Sequence, residues 1–115
     1  MIISTRHIKD VVVFDIEGEM RLPLKPTETL HQLVKTQLDQ GARKILFNFH
    51  DIKYIDSYGV GELVASYISI HDLGGKLKLT GVAGRLELLL KTTDIYKLFD
   101  PQPSEKAALK ILADR

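Results

Sequence analysis

The chain contains no cysteine, and that absence removes disulfides, thiol nucleophiles and cysteine-ligated zinc together. It fits a reducing compartment, for which the cytoplasm is the simplest placement. An excess of either charge is missing as well: 16 Lys and Arg stand against 15 Asp and Glu, with no run of five like charges. Nucleic-acid binders carry a basic footprint and membrane-surface anchors a polybasic segment, so no direct nucleic-acid partner is expected. Long apolar stretches are also lacking. The opening Met1-Ile2-Ile3-Ser4-Thr5-Arg6-His7 meets a charge before a signal-like stretch forms, and no run approaches the roughly 18 apolar residues that span a bilayer. A soluble, unprocessed chain without a membrane span is the expectation, and neither a repeat nor a low-complexity segment interrupts it.

What is present suffices for one core: 115 residues with 44% hydrophobic content are too few to argue for two domains, so residues 1–115 are read as one. Ile2 to His7, the polar break Lys9-Asp10, and the β-branched run Val11-Val12-Val13-Phe14-Asp15-Ile16 predict two strands joined by a tight turn. Strand two ends at Gly18-Glu19. Met20 to Pro26, with Pro23 and Pro26, reads as a loop. Leu30, Leu33, Val34 and Leu38 then form one helical stripe from about Thr27 to Gln40, closed by Gly41. Ile45-Leu46-Phe47-Asn48-Phe49 predicts a buried strand, and His50 to Ile55 a connecting stretch. Val60, Leu63, Val64, Tyr67, Ile68 and His71 keep a helical period until Gly74-Gly75. Lys76 to Gly81 alternates as a strand, Leu86, Leu89 and Leu90 mark a third helix, Ile95 to Phe99 reads as a weak extended piece, and Ser104 to Leu112 as a closing helix. The order β-β-α-β-α-β-α-β-α predicts an α/β fold with a mixed, mainly parallel sheet, an N-terminal β-hairpin and about four helices.

The chemistry concentrates in Asp56-Ser57-Tyr58-Gly59-Val60-Gly61, at the start of the second helix. The first backbone N–H groups of a helix lack internal partners, so an anion there is stabilised by them and by the helix dipole. Ser57 is therefore read as a reversible phosphorylation site. Asp56 and Ser57 are also good N-cap residues, and capping alone would account for both. Gly59 and Gly61 tilt the choice: inside a helix each costs about 1 kcal/mol relative to alanine, which makes sense where a kinase active site or a docked partner must come close.

These residues carry a family resemblance. Asp56-Ser57-x-Gly59-x-Gly61 after Asp51-Ile52-Lys53-Tyr54-Ile55, Gly18-Glu19 ending strand two, Gly74-Gly75-Lys76-Leu77, Leu79-Thr80-Gly81 and Ser104-Glu105-x-Ala107-Ala108-Leu109 together resemble the STAS domain, and more narrowly a bacterial anti-sigma factor antagonist. The resemblance implies that Ser57 is phosphorylated by an anti-sigma factor that is also a serine kinase, and that a PP2C-type phosphatase removes the phosphate. It also implies that the unphosphorylated protein binds the anti-sigma factor and frees a sigma factor for transcription. Asp56, Ser57, Tyr58, Gly59, Gly61 and Arg21 are the implied partner-binding residues; no metal or cofactor is expected. Two positions depart from the family pattern. Tyr58 stands where a second serine is frequent, and Met20-Arg21 where an apolar residue and an aspartate are usual. Because that aspartate lies near the phosphosite, Arg21 is expected there too, either pairing with phosphoserine or facing solvent.

Other readings meet obstacles. A hydrolase elbow requires Gly-x-Ser-x-Gly, but Ile55 stands two before Ser57; no partner for His7, His31, His50 or His71 is identifiable from spacing. The dinucleotide pattern begun by Gly59-Val60-Gly61 lacks its third glycine, the position being Val64. A phosphorelay receiver using Asp51 or Asp56 needs an adjacent acidic pair, and Asp15 and Glu17 alternate across a strand. The chain is not read as an enzyme. The stronger alternatives are a STAS scaffold subunit of a stress-signalling assembly and a soluble adaptor of a membrane transport system.

Overall fold

The computed structural model describes residues 1–113. Along the chain they form β1 (Ile2–Ile8), β2 (Val11–Met20), α1 (Leu30–Asp39), β3 (Lys44–Asn48), β4 (Ile52–Ile55), α2 (Ser57–Asp72), β5 (Lys76–Thr80), α3 (Gly84–Thr92), α4 (Tyr96–Phe99) and α5 (Glu105–Ala113). The sheet runs β1-β2-β3-β5, with β4 pairing the C-terminal end of β2. Among these strands only the β1–β2 hairpin is antiparallel; β2–β3, β2–β4 and β3–β5 are parallel. The expected α/β class with a mixed, mainly parallel sheet and an N-terminal hairpin is thus the observed one. No helix among the described residues is long and apolar enough to cross a membrane.

The first four residues of β2, Val11 to Phe14, are apolar and buried without a break because both faces of the strand are covered there. Successive side chains alternate between faces. Val12, Phe14 and Ile16 join Ile45, Phe47, Leu77 and Leu79 beneath Leu30, Val34 and Leu38 of α1, Leu63 and Ile70 of α2, and Leu86 and Leu90 of α3. Val11, Val13 and Leu46 face the other way and meet Ala108 and Leu112 of α5. Each large aliphatic side chain so buried contributes about 1.5–3 kcal/mol relative to exposure. Edge-on aromatic contacts, Phe14 to Phe47 at 5.9 Å and Phe47 to Phe49 at 6.0 Å between ring centroids, order the larger core.

Three segments differ from expectation. Ile52–Ile55 is a strand, not a mere connection: its pairing with Gly18, Glu19 and Met20 supplies the ladder that four residues could not announce by pattern. Residues 95–99, expected to be extended, hold the short helix α4 instead. Burial of Phe99 against Tyr67, 5.8 Å between rings, and a left-handed Asp100 at its C-terminal end favour the turn. The nearby sheet contact is the isolated Thr80–Gln102 bridge. Helix α1 begins at Leu30, later than Thr27, because Thr29 forms a capping box: its hydroxyl accepts from the Gln32 N–H at 3.1 Å, while Gln32 accepts from the Thr29 N–H at 2.8 Å.

Helix α5 has few fully buried side chains and is tied to the sheet by charge. Arg6 of β1 forms a bidentate pair with Asp15 of β2 and reaches Glu105 at the start of α5. Asn48 also donates to Asp15 at 2.9 Å. The Arg6 hydrogen bonds first, and then the Asn48 amide, hold the Asp15 carboxyl below the usual carboxylate range despite its partial burial. A depressed folded-state pKa contributes stability above the unfolded carboxylate value and loses it as pH falls through the folded one. Wild type should therefore exceed Asp15→Asn by about 1 kcal/mol at neutral pH, and the gap should close between about pH 5 and pH 2, as measured by urea denaturation across that range.

Candidate functional site

The site is built where β4 ends against β2. Glu19 lies opposite Tyr54 and Met20 opposite Ile55, and the Asp56 N–H donates to the Met20 carbonyl at 3.4 Å. The chain then turns into α2. Asp56 is the N-cap in extended conformation, its Oδ1 accepting from the Tyr58 N–H at 3.0 Å. Its carbonyl accepts from the Val60 N–H at 3.1 Å. Asp56 is thus a helix cap in fact, and the cap leaves Ser57 as the exposed first residue of a 16-residue helix. The Ser57 hydroxyl stands at the positive end of the helix dipole, in solvent, where an incoming group can reach it.

The glycine pair divides. Gly59 is buried, and a Cβ there would lie 2.5 Å from Ile55 Cγ1 and 3.0 Å from Met20 Cγ. Its missing side chain lets α2 seat on the end of β4, so the expectation that Gly59 leaves room for a partner is corrected: that room is taken by the domain's own core. Gly61 is exposed, and a methyl group added to it would meet nothing within 4 Å, which keeps the helix surface bare beyond Ser57.

Tyr58 is half-buried and lines a groove of about 720 Å³ with Ile3, Leu22, Leu24 and Leu33. Partial burial, and then the Glu62 carboxylate, push its hydroxyl pKa up. Leu22 and Leu24 project from the segment between β2 and α1 with 68% and 103% relative exposure, so this apolar rim has no cover from the domain itself. Glu62 also accepts from the His31 N–H at 3.1 Å, joining α2 to the first turn of α1. The His31 ring is hydrogen-bonded to Ser69 at 2.7 Å, farther along α2 than Ser57.

Arg21 leaves β2 one residue beyond Met20, at the level where Asp56 caps α2. It is not a loose surface arginine: it pairs with Glu19 at 3.2 Å and its guanidinium carbon lies 4.4 Å from the centre of the Tyr54 ring. A second arginine, unmarked by any local pattern, converges there. Arg85 of α3 donates from Nε to the Ile55 carbonyl at 2.6 Å, with its guanidinium carbon 5.1 Å from the same ring centre.

A mixed α/β domain in which a strand leads through a capping aspartate into a helix opening on an exposed serine is the setting of this site. The chain is a member of the STAS domain family, whose model matches residues 3–108. Among solved structures, a candidate anti-sigma factor antagonist from Thermotoga maritima superposes with a TM-score of 0.81 at 23% identity, over 96% of this chain and 94% of that one. The Bacillus cell fate determinant SpoIIAA in its phosphorylated form gives 0.72 at 18% identity, over 96% and 99%. A sulfate transporter family protein from Wolinella succinogenes gives 0.69 at 20% identity, over 94% and 91%. At these identities the likeness is one of fold.

The two glycines generate opposite expectations. Gly59→Ala should destabilise by roughly 1–2 kcal/mol, overpacking against Ile55 outweighing the helix-propensity gain, whereas Gly61→Ala should stabilise by up to about 1 kcal/mol. Asp56→Ala should cost about 1 kcal/mol through the lost cap. Chemical denaturation of the three variants beside wild type measures all of these.

Proposed function

We propose that this protein is an anti-sigma factor antagonist: a phosphorylation-switched interaction module that binds an anti-sigma factor serine kinase while Ser57 is unphosphorylated, and so releases a sigma factor. The observation that carries the reading is the exposed Ser57 hydroxyl at the first position of α2, with Asp56 already satisfying the cap. A phosphate there adds about −1.5 to −2 charges and three acceptor oxygens. The helix terminus favours that charge, so the fold survives modification and the effect falls on whatever docks against the surface. The uncovered Leu22 and Leu24 beside Tyr58 supply apolar contact area for such a partner. In this reading the domain is a substrate of the partner kinase and of a PP2C-type phosphatase, works in the cytoplasm and catalyses nothing itself.

The fold likeness to a sulfate transporter family protein supports a second reading, a constitutive adaptor of a membrane transport system; a scaffold subunit of a stress-signalling assembly would behave in the same constitutive way. Incubation with ATP and candidate anti-sigma kinases, followed by intact-mass measurement, separates these. The expected result is one added phosphate in wild type, none in Ser57→Ala, and at least a tenfold loss of kinase affinity, about 1.4 kcal/mol, on modification. Stable binding to a partner without any modification would favour the constitutive adaptor.

A further inference from the structure

Two cationic side chains from different elements share one aromatic ring, that of Tyr54, three residues before Ser57 in the chain. Arg21 arrives from the end of β2 and Arg85 from the start of α3, 4.4 Å and 5.1 Å from the Tyr54 ring centre. A guanidinium attracted to a ring face keeps its N–H edge available for hydrogen bonds. Of the two, only Arg21 has a carboxylate partner, Glu19, in an exposed pair. Arg85 spends its Nε on the Ile55 carbonyl, and among the described residues its terminal nitrogens make no hydrogen bond or ion pair. Both guanidinium groups bring positive charge to the Tyr54 ring, and an anion within reach of both would be attracted to it. Ser57 follows the carbonyl that anchors Arg85 by two residues, a span of at most about 7 Å. Asp56, which precedes Ser57 in the chain, accepts from the Tyr58 N–H.

We infer that Arg85 and Arg21, positioned on Tyr54, form a guanidinium clamp for the phosphate of phosphorylated Ser57. This rests on the reading of Ser57 as a phosphosite and assigns the groups that hold the modified state. Arg85 supplies the free fork that matches phosphate oxygens, and Arg21 exchanges its exposed contact with Glu19 for a second one. The phosphate is thereby drawn onto the domain's own surface, away from a docking partner.

The test uses full-length protein carrying genetically encoded phosphoserine at position 57, with the phosphate titrated by phosphorus NMR. Its second ionisation should be depressed relative to a phosphoserine peptide. The midpoint should rise by about one pH unit in Arg85→Ala, by less in Arg85→Lys, which keeps charge but loses the fork, and by less in Arg21→Ala. Lys110→Ala, on α5, should leave it unmoved. Equal midpoints in wild type and the arginine variants overturn the clamp, as does an equal rise in Lys110→Ala. Should Arg85→Ala lose its fold by circular dichroism, the comparison of wild type with Arg85→Lys decides. Because the phosphate is installed without a kinase, failure of the clamp is distinct from failure of the phosphosite reading, which the kinase assay alone addresses.

Discussion

The pairing of β2 governs the rest of the molecule. It carries β1 on its first seven residues, β3 on its first five, and β4 on its last three, while its side chains are packed on both faces. A strand so enclosed has no freedom of register, since a one-residue slip would exchange the residues facing α1 and α2 for those facing α5. A register shift between Gly18 and Glu19 lies within the β4 pairing, just beyond the residues that pair with β3. Everything at the site is indexed to that pairing: Met20 sets Ile55, Ile55 sets Gly59, and the Asp56 N–H closes on Met20. The position of Ser57 is therefore a consequence of strand pairing as much as of the hexapeptide around it.

The residues of the site fall into distinct physical tasks. Asp56 and Gly59 build the start of α2, one by capping and one by leaving space, and both are occupied within the domain. Ser57, Tyr58 and Gly61 are presented outward or half outward. Arg21, Tyr54 and Arg85 form a charged border on the β4 side, and Leu22 and Leu24 an apolar one on the β2–α1 side. Such a division lets one hydroxyl change the character of a surface without disturbing the packing that supports it.

Much of this was legible in the sequence because it is local. The β-branched run Val11 to Ile16 announced a strand, Ile45 to Phe49 a buried one, the stripe Leu30-Val34-Leu38 a helix, and Asp56-Ser57 a capped helix start. What was not legible depends on partners distant in sequence. Ile52–Ile55 is too short, and too interrupted by Lys53, to declare itself without β2 beside it. Residues 95–99 have the β-branched and aromatic composition of a strand, yet Phe99 is claimed by Tyr67 from another helix. Gly59 looked like an opening for a partner because the side chain that fills the space, Ile55, reaches it only once α2 has folded back on β4. Arg85 carries no motif at all; its relevance comes from α3 passing over Tyr54.

The placement of α5 has a consequence for how the chain folds as it is made. Among the described residues it alone of the helices contributes buried side chains to the face formed by Val11, Val13 and Leu46, and it follows every strand in chain order. The Arg6–Glu105 contact that fastens it joins residues 99 positions apart. During synthesis the sheet and the helices on the opposite face can assemble first, leaving an apolar surface bare until α5 emerges. A nascent chain that has not yet reached residue 105 therefore carries Val11, Val13 and Leu46 without their helical cover.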